Sequence, residues 1–255
     1  MTTPLLAVED VHLRFGGLKA LQGVSIDVDE GSIAGLIGPN GAGKTTLFNV
    51  ISGLHRADAG SIRFDGREIG TLPAHARAPL GIARSFQNLG LMEDETAVNN
   101  VLAALHRSAP YRPSDVFVRP WRRIRGERAL ERRCDDALRR FDLSDDAGRV
   151  ISDLSFARAR FVEIAAVVAE DPRLMLLDEP TTGLDPAEVA HLAAVLASIR
   201  DAGTTVLVVA HDVEFVMRVC DHVYVLAEGR VLASGPPAAV RSNPAVVDAY
   251  LGRAA

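Results

Sequence analysis

Apolar and polar residues alternate over 5–15 (LLAVEDVHLRF) and again over 24–30 (VSIDVDE). That two-residue period predicts half-buried antiparallel strands. Residues 33–38 (IAGLIG) instead form a continuous apolar run closed by glycine, as in a parallel strand buried on both faces. TTLFNVISGL then opens a helical pattern, and 59–70 (AGSIRFDGREIG) predicts a hairpin turning at Asp65-Gly66. From about 96 to 170 strand signals fade. The run ERALERRCDDALRRF sets Leu130, Cys134, Leu138 and Phe141 on one helical stripe. The three prolines of 109–121 predict a loop. Beyond this section, LMLLDE and TTVLVVAHD are further buried strands. PAEVAHLAAVLASIRDAG is a helix ending at Gly203, and HVYVLAEGRVLASG is a hairpin with Glu228-Gly229 at its turn. Strands alternating with helices predict an α/β fold: a mainly parallel core sheet and an antiparallel β part on the N-terminal side. We expect a single domain over 1–255. Its segments are 1–95 (core and antiparallel part), 96–170 (inserted helical subdomain) and 171–255 (core continuation with a C-terminal helix).

The chain has 255 residues, enough for one substantial core. Hydrophobic residues are 48% and charged residues 24%, ordinary for a globular protein. The net charge of −5 argues against a basic nucleic-acid binder. Two cysteines, Cys134 and Cys220, exclude a disulfide scaffold and a four-cysteine zinc site, and fit a reducing compartment. The N-terminus lacks a basic segment followed by a long apolar run, so no secretory leader is expected. The longest apolar stretches are too short to cross a bilayer. All but two of the 28 basic residues are arginine, the lysines being Lys19 and Lys44.

Lys44 stands in a pattern that carries chemistry. Gly38-Pro39-Asn40-Gly41-Ala42-Gly43-Lys44-Thr45 fits the phosphate-loop spacing G-x-x-x-x-G-K-[ST], after a buried strand and before a helix. Glycines let backbone N–H groups wrap phosphate oxygens, and the helix N-terminus adds its dipole. Lys44 is expected to reach the β- and γ-phosphates and the Thr45 hydroxyl to bind Mg²⁺, with Thr46 beside them. Asp178 and Glu179 follow a buried strand, at the sheet edge where open α/β proteins place ligands. Asp178 would hold the metal shell and Glu179 would orient the attacking water. His211, after another buried strand, could contact the γ-phosphate. Gln87 could join the metal and water shell. Phe15, before Gly16-Gly17, is either an adenine-stacking ring or a core phenylalanine.

In this order the motifs resemble those of the ATP-binding subunits of ABC transporters, over nearly the whole chain. The resemblance makes Phe15 the adenine aromatic, 38–45 the phosphate loop and Gln87 the Q-loop glutamine. It makes 154–158 the signature region, Asp178 and Glu179 the Walker B carboxylates, Gly183-Leu184-Asp185 the D-loop and His211 the switch histidine. RFGGLKAL, GPNGAGKTTLFNVISG, HDVEFVMRVCDHVYVL and NPAVVDAYLG resemble the ATPases of branched-chain amino acid importers most, as does the Pro-bearing insertion around Trp121. The family implies ATP and Mg²⁺ as cofactors. It implies integral membrane permease subunits, a second ATPase subunit and, indirectly, a solute-binding protein as partners, with no nucleic acid. It places the chain peripherally on the cytoplasmic face of the inner membrane.

The signature departs from the family's Leu-Ser-Gly-Gly-Gln. It reads Leu154-Ser155-Phe156-Ala157-Arg158. In the family this loop touches the nucleotide of the opposite subunit. The expectation is that the Ala157 methyl hinders close approach, and that Arg158 either adds positive charge or points to solvent. The substitutions Ala157→Gly and Arg158→Gln should then raise turnover. A heterodimer with one intact and one weakened site is favoured over a homodimer. The rival readings are a soluble ABC ATPase outside transport and a nucleotide-binding subunit with little turnover.

Overall fold

The computed structural model describes residues 3–85, 90–106 and 120–251. Gln87 and the predicted loop at 109–119 lie outside the described residues. The chain divides into two units. One comprises 1–84, 173–182 and 189–255, the other 85–172 and 183–188.

The first unit holds both sheets. β1 (Leu6–Phe15), β2 (Leu18–Val28), β4 (Ala59–Phe64) and β5 (Arg67–Glu68) form an antiparallel sheet in the order β2-β1-β4-β5. The alternation in β1 predicts its buried face, but Val8 and Val11 are three apart, one residue too many for a regular strand. The chain absorbs the extra residue as a bulge at Glu9–Asp10, where Asp10 takes φ 48°. The second sheet runs β10-β9-β3-β8-β7-β6, from β3 (Ile33–Ile37), β6 (Ile82–Arg84), β7 (Leu174–Asp178), β8 (Thr205–Val209), β9 (His222–Ala227) and β10 (Arg230–Gly235). All its pairings are parallel except β9 with β10. β3, β7 and β8 are buried at every position, which is why they read as unbroken apolar runs. Both anticipated turns form: Asp65-Gly66 and Glu228-Gly229 have positive φ at both residues, the geometry a two-residue hairpin needs.

α1 (Lys44–Ser52) follows β3, and its end is tied by a residue far along the chain. Arg77, at the end of α2 (Ala74–Arg77), is 1% exposed and donates to the carbonyls of Val50, Ile51 and Leu72 at 2.6–2.9 Å. A cation is well placed at a helix C-terminus, where the last carbonyls lack partners.

The second unit is helical: α3 (Ala97–His106), α4 (Pro120–Arg140) and α5 (Phe156–Ala169). Leu130, Cys134, Leu138 and Phe141 are all buried there. Pro120 and Trp121, read as loop, instead begin α4; proline suits a first helical turn, where its missing N–H has no intrahelical acceptor to lose. α6 (Pro186–Asp201) starts at Asp185, whose Oδ1 accepts the N–H groups of Ala187 and Glu188 at 2.8 Å. Glu188 in return accepts from the Asp185 N–H at 2.8 Å, completing a capping box. α7 (Val213–Val219), α8 (Pro237–Arg241) and α9 (Pro244–Leu251), all of the first unit, complete the chain. Among the described residues no helix is long and apolar enough to cross a membrane.

Candidate active site

The phosphate-loop residues join β3 to α1. Gly38 has φ 152°, and a Cβ there would lie 2.2 Å from the Leu226 carbonyl oxygen. Gly43, with φ 100°, would place a Cβ 2.7 Å from the Ala20 carbonyl oxygen. Only glycine allows this path with its neighbours this close. The loop is held from outside by the β9–β10 turn: the Gly229 N–H donates to Ala42 O at 3.0 Å, and Gly229 O accepts from the Gln22 N–H at 2.8 Å. The sequence identified that turn only as a hairpin.

α1 has no side-chain cap and no acidic residue in its first turn, among the described residues. Its leading N–H groups and dipole are therefore left to an anion. Thr45 is exposed and Thr46 half-buried. Lys44 is buried and donates to Gly38 O at 2.8 Å and Pro39 O at 3.1 Å. Burial pushes its ammonium below the ordinary pKa, against the opposing pull of Glu179 and Asp178.

Asp178 closes β7 with a fully buried side chain. Glu179 follows at φ 50°, its N–H donating to Val209 O at 2.8 Å, so the chain turns sharply while still pinned to β8. Glu179 Oε2 contacts His211 Nδ1 and accepts the His211 N–H at 3.3 Å. The His211 ring is largely exposed. Phosphate loop, Asp178, Glu179 and His211 thus gather at the C-terminal edge of adjacent parallel strands. Phe15 is 47% exposed, which removes the core reading. Its ring meets His55 edge-on, centroids 5.4 Å apart.

Sequence reasoning missed Arg84, the last residue of β6. Its guanidinium donates to Asp178 Oδ2 at 3.2 Å, Asn49 Oδ1 at 2.7 Å and Ser52 Oγ at 2.8 Å. It also lies 4.6 Å over the Phe48 ring. Burial lowers its pKa from the ordinary value, with Asp178 opposing. The available signal was a basic residue ending the short strand Ile82-Ala83-Arg84, three positions before Gln87.

The signature residues lie in the helical unit. Ser155 caps α5, its Oγ accepting the Arg158 N–H at 3.3 Å. Phe156 is exposed, and a Cβ on Gly183 of the D-loop would fall 2.5 Å from its ring. Ala157 is 5% exposed, so its methyl packs inward. The Arg158 expectation is corrected here. Arg158 does not simply point to solvent: its side chain is about one-third exposed and its guanidinium is already bonded. Its Nε donates to Asp146 Oδ2 at 2.6 Å, and its terminal nitrogen to the Asp142 carbonyl at 2.8 Å. Arg149 donates to the other oxygen of Asp146 at 3.0 Å. Arginine was misread because its acceptors sit in an irregular segment 12 and 16 residues upstream, where no periodicity marks them.

A family profile described as ABC transporter matches residues 21–182. The chain belongs to the ABC transporter family. A profile described as branched-chain amino acid ATP-binding cassette transporter matches residues 230–255 of this ABC protein. It is 41% identical to the high-affinity branched-chain amino acid transport ATP-binding protein BraF of Pseudomonas aeruginosa, over all of both chains. Identity to LivG of Escherichia coli, described in the same terms, is 38% over all of both chains. The ADP conformation of MJ1267, an ATP-binding cassette of an ABC transporter, superposes with a TM-score of 0.84 at 30% identity, covering 99% of this chain and all of that one. The protein is accordingly the ATP-binding subunit of an ABC transporter: a nucleotide-binding ATPase.

Proposed function

We propose that this ATPase powers an importer of branched-chain amino acids or related small solutes. The observation that carries this is the match of residues 230–255 to the branched-chain profile, on a chain that aligns end to end with BraF. In this reading it sits on the cytoplasmic face of the inner membrane. It binds integral permease subunits and pairs with a second, distinct ATPase subunit, while a solute-binding protein acts indirectly.

The site residues divide the work as follows. Backbone N–H groups of 40–46, through the start of α1, receive the phosphates, and Phe15 stacks on adenine. Lys44 exchanges the carbonyls of Gly38 and Pro39 for phosphate oxygens, which offer its buried charge a better partner. A hydroxyl, Thr45, at the start of α1 and a buried carboxylate, Asp178, at the end of β7 are oxygen donors that suit a hard cation, which takes the rest of its ligands from phosphates and water. Thr45, Asp178 and Gln87 would hold Mg²⁺, which neutralises charge on the β- and γ-phosphates when bound. Glu179 orients water for in-line attack on the γ-phosphorus. As the new P–O bond forms, the bond to the β–γ bridging oxygen breaks, and ADP leaves with that electron pair. Glu179 accepts the water proton, and His211, bonded to Glu179, fixes its carboxylate and faces the γ-phosphate. Ser155 and Phe156 present the α5 N-terminus to the partner's nucleotide, flanked by Asp185, while Ala157 and Arg158 secure that turn from within.

The test is co-purification and coupling. The tagged chain should retain two polytopic proteins and a second ATPase from detergent-solubilised membranes. ATP turnover of the reconstituted complex should rise with a leucine-loaded binding protein. Recovery of soluble partners alone would overturn the importer reading.

A further inference from the structure

We infer that Arg84 is a positioning residue, setting the carboxylate of Asp178 against the phosphate-loop helix. This rests on the reading above in which Asp178 holds Mg²⁺. Three elements meet at this one guanidinium: β6, which carries it; β7, through Asp178 Oδ2; and α1, through Asn49 and Ser52. A fourth contact, the Phe48 ring beneath the guanidinium, fixes its plane. Asn49 and Ser52 lie on α1 itself, whose first turn carries Lys44 and Thr45. The fork therefore ties the metal carboxylate to the element bearing the metal hydroxyl.

Stability alone is a poor account of this arrangement. Asp178 is fully buried and the Arg84 side chain 13% exposed. A buried ion pair seldom outperforms apolar residues of the same volume. The Arg84 Nε is also buried without an acceptor among the described residues, which adds a desolvation cost. What the pair does achieve is geometric. Arg84 occupies one oxygen of Asp178 and fixes the carboxylate plane, so that the other oxygen has a set direction. Partners of this kind orient a metal ligand without touching the metal. A lysine could keep the charge but not the planar fork that reaches Asp178, Asn49 and Ser52 together.

The test reads metal binding, not turnover. Mn²⁺ is titrated into the ADP-loaded chain, and the free Mn²⁺ is followed by its electron paramagnetic resonance signal. ADP affinity is measured separately in EDTA. Arg84→Met should weaken Mn²⁺ binding about ten- to a hundredfold and leave ADP affinity in EDTA unchanged. Arg84→Lys should recover only part of the loss. Wild-type Mn²⁺ binding in Arg84→Met would overturn the inference. So would an equal loss of ADP affinity in EDTA, since Arg84 would then support the loop as a whole. If Arg84→Met does not fold, the Asn49→Ala/Ser52→Ala double variant decides: weaker Mn²⁺ binding supports the tie, and unchanged binding refutes it. Asp178→Asn separates the two levels. If it too binds Mn²⁺ normally, the metal role of Asp178 fails; if it loses Mn²⁺ while Arg84→Met keeps it, only the positioning role fails.

Discussion

Replacing Arg158 with glutamine, the family residue, should destabilise the helical unit and leave turnover no higher. Arg158→Gln removes the Nε bond to Asp146 at 2.6 Å and the bond to the Asp142 carbonyl at 2.8 Å, which a glutamine side chain is too short to keep. A hydrogen bond to a charged group contributes about 1.5–3 kcal/mol when well buried. Here Asp146 is nearly buried but Arg158 is about one-third exposed, and Arg149 still serves the other oxygen. Solvent screening and that remaining partner bring the expected loss to about 1–2 kcal/mol. For a chain of this size that lowers Tm by about 2–8 °C.

The same pair carries a pH signature. Burial pushes the Asp146 carboxyl up, but its bonds to Arg158 and Arg149 outweigh this and hold it below the usual range. A carboxyl depressed on folding contributes stability that is present above its unfolded pKa and lost as pH falls through the folded value. The melting temperature of the wild-type chain should therefore fall more steeply below about pH 4 than that of Arg158→Gln. Thermal melts across pH, with a double-mutant cycle against Asp146→Asn, read the coupling directly. ATP turnover of the assembled complex supplies the second readout. A variant that hydrolysed ATP faster and melted as the wild type does would show that Arg158 is a spoiled glutamine, not a tether.

Three further outcomes are expected. Glu179→Gln should bind ATP but lose about 10²–10⁴-fold in turnover, the range of a positioned general base; near-normal hydrolysis would remove Glu179 from that role. Phe15→Ala should weaken nucleotide binding by about 1–3 kcal/mol if the exposed ring stacks on the base, with equilibrium binding as the measure and an unchanged Kd as the refutation. Arg77→Met should cost about 3 kcal/mol, because the carbonyls of Val50 and Ile51 lose a buried donor; a urea melt that did not shift would show that water replaces the guanidinium.

What the sequence made legible is what local geometry alone can decide. The phosphate loop needs positive φ at Gly41 and Gly43 before a helix, and no distant residue is required to recognise that demand. β3, β7 and β8 announce themselves because burial on both faces leaves only apolar positions. Asp178 and Glu179 are legible for the same reason, as the first charges after such a run. The bulge in β1 is the exception: a regular alternation is expected over 5–15, whereas the pairing inserts a residue between Val8 and Val11.

The arginines are a different case, and the reason is physical. A guanidinium reaches several ångströms from its own backbone and recognises oxygen atoms, not a periodic pattern. Arg77 finds carbonyls 26 and 27 residues upstream, and Arg84 a carboxylate 94 residues downstream. No window along the chain contains both ends of either bond. Arginine is also nearly the whole basic complement of this protein, so its presence at a given position carries little information. Lys44 was conspicuous because it is one of two lysines; Arg84, bonded to the adjacent carboxylate, was hidden among its own kind. The signature loop shows the consequence. Judged by residue type, Arg158 is a loss of function; judged by its acceptors, it secures the first turn of α5, leaving the Ser155 cap and the exposed Phe156 in place. A motif departure is thus weighed by where the new side chain's donors go, and here Nε and one terminal nitrogen go to Asp146 and Asp142.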